Sequence, residues 1–253
     1  MPLFGTLQDD FNDGSLDTAV RWSGSYGDPD EAGGRGRVPC TTGFAGLKSG
    51  SSYTLTGSGV FLRLYAPTPA GATTAAASVL VLSSTGGTDA GFIVDPAQNA
   101  VGLYSRVGYA DGAAVFLSYS ATDHAWLRLR ETAGTLYWDT SPDGNTWTTR
   151  RTASTPAWAA DTDLAFLVEG HRDAGTPDHI ELDYVNIPPG QTIAVGTANA
   201  VEAAQGLGRA KTRALTAATA AETAQALAAV VTRLDVTLTL GAPSTEWEVS
   251  APW

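Results

Sequence analysis

Ten short segments between residues 60 and 187 have the composition of β-strands, and this pattern constrains the fold more than any other feature of the chain. They are rich in β-branched and aromatic residues and are separated by Gly, Pro, Asp or Ser. The segments are VFLRLYAP (60–67), SVLVLSS (78–84), GFIVDP (91–96), AVGLYSRVGY (100–109), AVFLSYS (114–120), AWLRLRET (125–132), TLYWDTS (135–141), TWTTRRT (146–152), DLAFLVEG (163–170) and HIELDYVNI (179–187). No convincing helix lies between them, so the pattern predicts an all-β protein, an antiparallel β-sandwich or jelly roll.

Two of these segments show which side chains share a face. In AWLRLRE, Leu127 and Leu129 face one way while Arg128 and Arg130 face the other. In the closing segment, Ile180, Leu182, Tyr184 and Asn186 oppose Glu181, Asp183, Val185 and Ile187. The second of these faces carries both acidic and apolar side chains, which predicts a strand that is partly covered on both sides. SPDGN (141–145) predicts a hairpin turn, because Asp-Gly supplies the positive φ that such turns require.

Other parts of residues 1–188 carry weaker signals. GSYGDPDEAGGRGRVPC (24–40) is predicted to be a long Gly-rich loop, which is functional, disordered or packed on a neighbouring subunit. Trp22, Trp126 and Trp147 are expected in the core.

Charge and cysteine content exclude several classes of function. The net charge is −11, and residues 1–188 hold 21 acidic but only 11 basic side chains. Nucleic-acid binding requires a basic face, so we expect none. Cys40 is the only cysteine, which excludes an intrachain disulfide and a Cys-based metal site. The first residues lack the features of a Sec-type signal peptide, and no apolar run is long enough to span a bilayer, so we expect cytoplasmic synthesis without membrane insertion.

IPPGQT (187–192) marks a predicted domain boundary, and a 20-residue repeat follows it. IAVGTANAVEAAQGLG (193–208) aligns with RALTAATAAETAQALA (213–228). Copies 20 residues apart would lie about 200° apart on one helix, whereas on a strand they share a face. We therefore expect a sandwich at 1–188 and, at 189–253, a small Ala-rich module of mixed short strands and helical turns. RLDVTLTLG (233–241) and TEWEVSA (245–251) predict a β-hairpin that ends it.

A repeat with so little bulk cannot bury a core alone, so it is expected to stack on its own copies or on other chains. The recurring apolar residues assigned to this contact are Leu207, Leu215, Leu227 and Val230. Cyclic homo-oligomers are the commonest way to cover such a surface. The alternative is that the module packs against the sandwich of its own chain.

Three stretches carry a resemblance to known families. DDFNDGSLDTAVRW (9–22), AWLRLRETAGTLYWDTSPDGNTWTTRRT (125–152) and HIELDYVNI resemble the concanavalin A-like lectin and glucanase sandwiches. The first two look most like laminin-G-like modules of actinobacterial and phage tail proteins. The Ala-rich repeat is similar to repeats in tail-fibre and minor tail proteins of actinobacterial phages.

This resemblance implies a structural or adhesion component of a phage tail or tail-like injection particle, without enzymatic activity. It implies a tail-fibre, minor tail or baseplate-associated protein that binds cell-surface glycan through the sandwich. The expected partners are other tail or baseplate proteins and further copies of the chain, with a homotrimer favoured because tail fibres are usually trimers. The expected location is a virion tail or a tail-like particle that is assembled in the host cytoplasm. A non-viral lectin module is one alternative.

An enzyme is the other alternative: a hydrolase of cell-envelope polysaccharide. Glycoside hydrolysis needs two carboxylates about 5–10 Å apart across the scissile bond. Glucanases of the concanavalin A-like class usually carry them in an ExDxxE-type spacing on one strand, and Glu181-Leu182-Asp183 is the nearest match. Asn186 stands where the third acid would fall. His124, His171 and His179 show no catalytic or metal-binding spacing.

Two kinds of binding site remain as expectations. Ca²⁺ prefers six to eight oxygen ligands, and Asp10 and Asp13 with Asp183 of the closing strand are candidates for a structural ion. Ordinary turn chemistry explains the same acids. Sugar binding uses exposed aromatic rings flanked by polar groups. The candidate rings, each of which could instead belong to the core, are Tyr26, Tyr109, Tyr119, Trp138 and Trp158.

Overall fold

The structure, a computed structural model, describes residues 2–190. These residues form two antiparallel sheets that pack face to face. The seven-stranded sheet has the order β1-β2-β13-β4-β9-β10-β11, and the six-stranded sheet has the order β3-β12-β5-β6-β7-β8. Helical structure in these residues amounts to two short 3₁₀ turns, Phe4–Thr6 and Ala157–Ala160. The prediction of an all-β antiparallel sandwich of the jelly-roll type is confirmed.

The thirteen strands are short. Their bounds are β1 Asp30–Glu31, β2 Gly36–Pro39, β3 Ala45–Lys48, β4 Gly59–Tyr65, β5 Ala75–Leu82, β6 Asp89–Asp95, β7 Ala100–Arg106, β8 Val115–Ser118, β9 Trp126–Thr132, β10 Thr135–Ser141, β11 Thr148–Ser154, β12 Ala165–Arg172 and β13 His179–Asp183. Each of the ten predicted segments overlaps one of β4 to β13. The predicted hairpin turn joins β10 to β11, with Gly144 at φ 75°.

The core lies between the sheets and is built from alternate residues of each strand. On β4, for example, Val60, Leu62 and Leu64 are buried, while Phe61 and Arg63 point away from the core. The largest fully buried side chains are Trp22, Trp138, Phe4, Phe11, Phe92 and Phe166. Strands with one face inside and one outside leave the outer face of each sheet available for polar and aromatic side chains.

The Gly-rich segment 24–40 is not simply a loop, which corrects the prediction. It contains β1 and β2, and β2 pairs with β13. Few β-formers mark this strand in the sequence, because its residues are Gly36, Arg37, Val38 and Pro39. The pairing partner supplies the hydrogen bonds that hold the segment extended, so tertiary context overrides its low strand propensity.

The closing segment keeps its predicted alternation only as far as Asp183, where β13 ends. Tyr184 and Asn186 adopt positive φ values of 55° and 53°, so the regular two-residue alternation of a strand does not continue through them. Val185 then pairs with Asp9 of the N-terminal segment, and both Val185 and Asn186 are buried. The predicted alternation of side chains therefore ends at Asp183, with the end of β13.

The tryptophans expected in the core lie in three different settings. Trp22 is fully buried there, as predicted. Trp126 is 3% exposed but packs on the outer side of the seven-stranded sheet, 5.6 Å from the ring of Tyr184. Trp147 is only half-buried and meets the outward-facing Phe61 ring edge-on at 6.0 Å. The core assignment of Trp147 is thus wrong, because the turn after β10 folds it back over the sheet's outer face.

Within residues 2–190, no helix has the length and apolar character needed to cross a membrane. The Ala-rich module and its four assigned contact residues, Leu207, Leu215, Leu227 and Val230, lie outside the described residues. The mixed strand and helix content, the terminal hairpin and the homotrimer therefore stay predictions.

Candidate functional site

Glu181 and Asp183 project from the outer face of the seven-stranded sheet. The residues that alternate with them on β13, Ile180 and Leu182, are fully buried in the core. Because side chains of a strand alternate between its two faces, the two acids share the outer face. Their Cα atoms are separated by about 6.6 Å along the strand, the rise of two residues.

Neighbouring strands place three arginines and a tyrosine around these acids. On one side, β2 sets Arg37 opposite Glu181, and the guanidinium of Arg35 bonds the Glu181 carboxylate. On the other side, β4 sets Tyr65 opposite Glu181 and Arg63 opposite Asp183. The guanidinium carbon of Arg35 lies 3.7 Å from the centre of the Tyr65 ring, and that of Arg63 lies 4.7 Å from it.

Asp183 is the more buried of the two acids. It is 8% exposed, and its Oδ1 accepts the main-chain N–H of Tyr184 at 2.7 Å. Burial raises the pKa of Asp183 to about 6 and outweighs the opposing effects of that hydrogen bond and of Arg35; the nearby charge of Asp10 adds to the rise. Asp183 can therefore hold a proton at mildly acidic pH, beside a Glu181 that is ion-paired with Arg35.

Asn186 does not share the face of the two acids. Its side-chain Nδ2 donates to the carbonyl oxygens of Phe4 at 2.8 Å and Leu7 at 2.7 Å, and its Oδ1 accepts the Phe61 N–H at 2.9 Å. This residue joins the N-terminal segment to the sheet, and the position that a third acid would occupy is a buried structural contact.

Further along the same outer face, two more arginines stand over aromatic rings. Arg128 lies 4.2 Å from the centre of the Trp147 ring, and Arg130 lies 3.8 Å from that of Tyr137. Both donate to Oδ2 of Asp139, a carboxylate with no exposed surface, at 2.9 and 2.8 Å. We name this outer surface of the seven-stranded sheet the arginine face; its residues are Asp30, Arg35, Arg37, Phe61, Arg63, Tyr65, Arg128, Arg130, Tyr137, Asp139, Trp147, Glu181 and Asp183.

The rings expected to meet sugar lie away from the arginine face and do not form one site. Trp138 is fully buried and its Nε1 donates to the Gly91 carbonyl, so it presents no ring to a ligand, which corrects that expectation. Trp158 and Tyr119 are partly buried against the core. Tyr26 and Tyr109 are 39% and 76% exposed. Tyr26 bonds Glu169 on β12, and Tyr109 lies against Gly87 beside β6, so both belong to the six-stranded sheet.

Two of the three acids assigned to calcium come near one another. Asp10 raises the pKa of Asp183, whereas Asp13 accepts the N–H of Ser15 in its own turn. Among residues 2–190, no group of three His, Cys, Asp or Glu side chains is arranged to hold a metal ion. The structural calcium ion therefore stays a prediction, and no chemistry is assigned to an ion here.

Sequence reasoning identified Glu181 and Asp183 but missed the residues around them. Arg35, Arg37 and Arg63 follow no motif, and Arg35 is 146 residues from Glu181. A partial signal was present for Arg128 and Arg130, whose alternation with Leu127 and Leu129 already placed them on one outer face.

No protein-family model and no curated protein matches this sequence. Solved structures do match the fold. The catalytic domain of an endo-1,3-β-glucanase (laminarinase) from Thermotoga petrophila RKU-1 is 13% identical, with a TM-score of 0.51, and the match covers 70% of this chain and 94% of that one. The laminarinase catalytic domain from Thermotoga maritima MSB8 is 13% identical over the same shares, with a TM-score of 0.50. A variant of SCLam, a non-specific endo-β-1,3(4)-glucanase from family GH16, is 10% identical with a TM-score of 0.50, over 70% of this chain and 91% of that one.

At these identities the likeness shows the jelly-roll fold alone. The expectation of a tail component without enzymatic activity is contradicted, because these three matching structures are of glucanases. Neither the tail assignment nor the homotrimer finds support among these matches.

Proposed function

We propose that this chain binds a polysaccharide across the arginine face and hydrolyses it with Glu181 and Asp183. The observation that carries the proposal is the pair of outward carboxyls on β13. Burial raises the pKa of one of them, Asp183, to about 6. Pairs of acids with different environments divide the acid and base roles in glycosidases. The glucanase fold adds a second line of support.

The chemistry follows from the two environments. Protonated Asp183 acts as the general acid and donates its proton to the glycosidic oxygen as the bond from that oxygen to the sugar carbon breaks. Glu181 is the ionised partner that stabilises the positive charge developing on the sugar ring or activates the incoming water. Two residues along a strand separate the Cα atoms by about 6.6 Å, a spacing that allows the carboxyl groups to lie within the range of about 5–10 Å used by glycosidases. Arg35 positions the Glu181 carboxylate through their ion pair.

The test measures reducing ends released from neutral and acidic polysaccharides by the full chain. We expect Glu181→Gln and Asp183→Asn each to lower the rate by about 100-fold or more. Glu169→Gln is the matched control, because Glu169 is a partly buried acid on β12 of the other sheet. Full activity in both the Glu181→Gln and the Asp183→Asn variants would remove the assignment.

A second candidate is glycan binding without cleavage. It is favoured by Asn186, which turns inward at the position of the third acid of the glucanase spacing. Binding by isothermal titration calorimetry, with no reducing ends released over a day from any polymer that binds, would select this candidate over hydrolysis.

A further inference from the structure

The arginine face has a charge balance unlike the rest of the described chain. Residues 1–188 contain 11 basic and 21 acidic side chains. Five of these basic side chains stand on the arginine face, together with only four of the acids, Asp30, Asp139, Glu181 and Asp183. Asp10 lies near Asp183 and raises its pKa. With Asp10 counted, the arginine face and its border hold five basic and five acidic side chains. The remainder of residues 1–188 is therefore strongly negative, and an anionic polymer would meet least repulsion at this face.

Two of the positive charges lack a carboxylate of their own. Asp139 is shared by Arg128 and Arg130, so one carboxylate serves two guanidinium groups. Arg63 has no ion-pair partner within 4 Å among residues 2–190; its guanidinium lies over Tyr65 instead. A guanidinium stacked on a ring keeps its N–H edge available for a bidentate contact with a carboxylate or sulfate group.

The same stacking leaves little ring surface for a neutral sugar. Arg35 and Arg63 both lie over Tyr65, Arg128 lies over Trp147, and Arg130 lies over Tyr137. Neutral sugars stack their apolar faces on open aromatic rings, whereas here guanidinium groups occupy that position.

We infer that the polysaccharide taken by the arginine face is anionic and carries carboxylate or sulfate groups along its chain. The inference rests on the proposed function for the location of the site, and it adds the substrate class. Arg63 is the residue that meets the acidic group nearest the reacting bond, because it stands opposite Asp183 in the strand register.

The test uses pairs of polymers that share a backbone and differ in charge. Polygalacturonate is compared with its fully methyl-esterified form, and dextran sulfate with dextran, by isothermal titration calorimetry at two salt concentrations. Glu181→Gln protein is used so that turnover does not interfere. We expect at least one charged polymer to bind more tightly than its neutral counterpart by roughly tenfold or more, with affinity falling as salt rises. The polymer pair that shows this difference in affinity identifies the recognised group as a carboxylate or a sulfate.

A variant then ties the binding to the face. Arg63→Gln, in the same background, is expected to lower affinity for the charged polymer roughly tenfold. Arg106→Gln is the control, since Arg106 is stacked on Tyr104 and paired with Asp89 on the six-stranded sheet and should bind as before. Unchanged binding by Arg63→Gln, equal affinity within both polymer pairs, or no binding of either charged polymer would overturn the inference.

The two proposals fail separately. Cleavage of a neutral glucan by a chain that ignores both charged polymers would reject the substrate class and keep the hydrolase. Tight, salt-sensitive binding of a charged polymer without cleavage would keep the substrate class and reject the hydrolase.

Discussion

Asn186 and Phe61 form a reciprocal hydrogen-bonded pair between β4 and the segment that follows β13. The Phe61 N–H donates to Oδ1 of Asn186 at 2.9 Å, and the Asn186 N–H donates to the Phe61 carbonyl at 2.9 Å. The amide nitrogen of the same side chain holds the carbonyls of Phe4 and Leu7. One residue thus ties the N-terminal segment, β4 and the end of β13 together.

Asn186→Ala is expected to lower the free energy of unfolding by about 2–4 kcal/mol, because three buried hydrogen-bonding groups lose their partner. Asn186→Asp should cost at least as much, since a carboxylate cannot donate to the Phe4 and Leu7 carbonyls. Urea unfolding measures both. Asn99→Ala is the matched control: Asn99 has a similar φ of 51° but an exposed side chain. An equal loss in the Asn99 and Asn186 variants would assign the effect to backbone conformation alone.

Replacing Asp183 with Asn is expected to stabilise the fold in a pH-dependent way. Because burial raises the folded-state pKa to about 6 from 3.8, the wild-type chain loses stability as pH rises through that range. Wild type and variant should differ little from this cause below about pH 4, and the advantage of Asn should then grow to at most about 3 kcal/mol above pH 6. Thermal melts at pH 4 and pH 7.5 measure the difference. A difference that is the same at both pH values would contradict the raised pKa.

The pH profile of cleavage should reflect the same group. If protonated Asp183 is the general acid, kcat/KM should fall about tenfold for each pH unit above about 6, and the loss should follow the pKa of that carboxyl. Glu169→Gln should leave the profile in place, because Glu169 is on the other sheet. A rate that stays constant from pH 5 to pH 8 would exclude Asp183 as the proton donor.

Asp139 is expected to contribute much more to stability than Asp30, although each pairs with arginine on the arginine face. Asp139 is fully buried and holds Arg128, Arg130 and the Thr149 hydroxyl, the last at 2.6 Å. Asp139→Asn should cost about 2–4 kcal/mol, because two guanidinium groups lose their shared countercharge. Asp30→Asn should cost less than about 1 kcal/mol, since the Asp30 side chain is 49% exposed. Similar losses in the two variants on urea unfolding would show that burial of Asp139 has no energetic consequence.

Much of the fold could be predicted because its strands are local features. Each of the ten predicted segments overlaps a strand, and the Asp-Gly turn joins β10 to β11. The strands β1, β2 and β3 escaped prediction because glycine and charged residues interrupt them. β1 pairs with β2, while the extended conformation of β2 and β3 depends on pairing with β13 and β12, which lie far away in the chain.

The candidate site was less accessible to sequence reasoning. Glu181 and Asp183 are visible because they alternate with Ile180 and Leu182, but nothing near them in sequence indicates Arg35 or Arg63. Trp147 was assigned to the wrong side, and for Trp138 the core alternative is the correct one. Trp138 obeys the alternation of β10 and points inward, whereas Trp147 follows a turn that carries it back over the outer face.

The sequence by itself determined which segments are extended and which acids share a strand face, because both follow from the two-residue period of a β-strand. Tertiary structure alone decided what surrounds those acids. The order β2-β13-β4 brings Arg35 and Arg63 to Glu181 and Asp183, and the positive φ values at Tyr184 and Asn186 turn the third polar position inward. Sheet order and burial set the charge and pKa at the site, and both arise from contacts between segments more than a hundred residues apart.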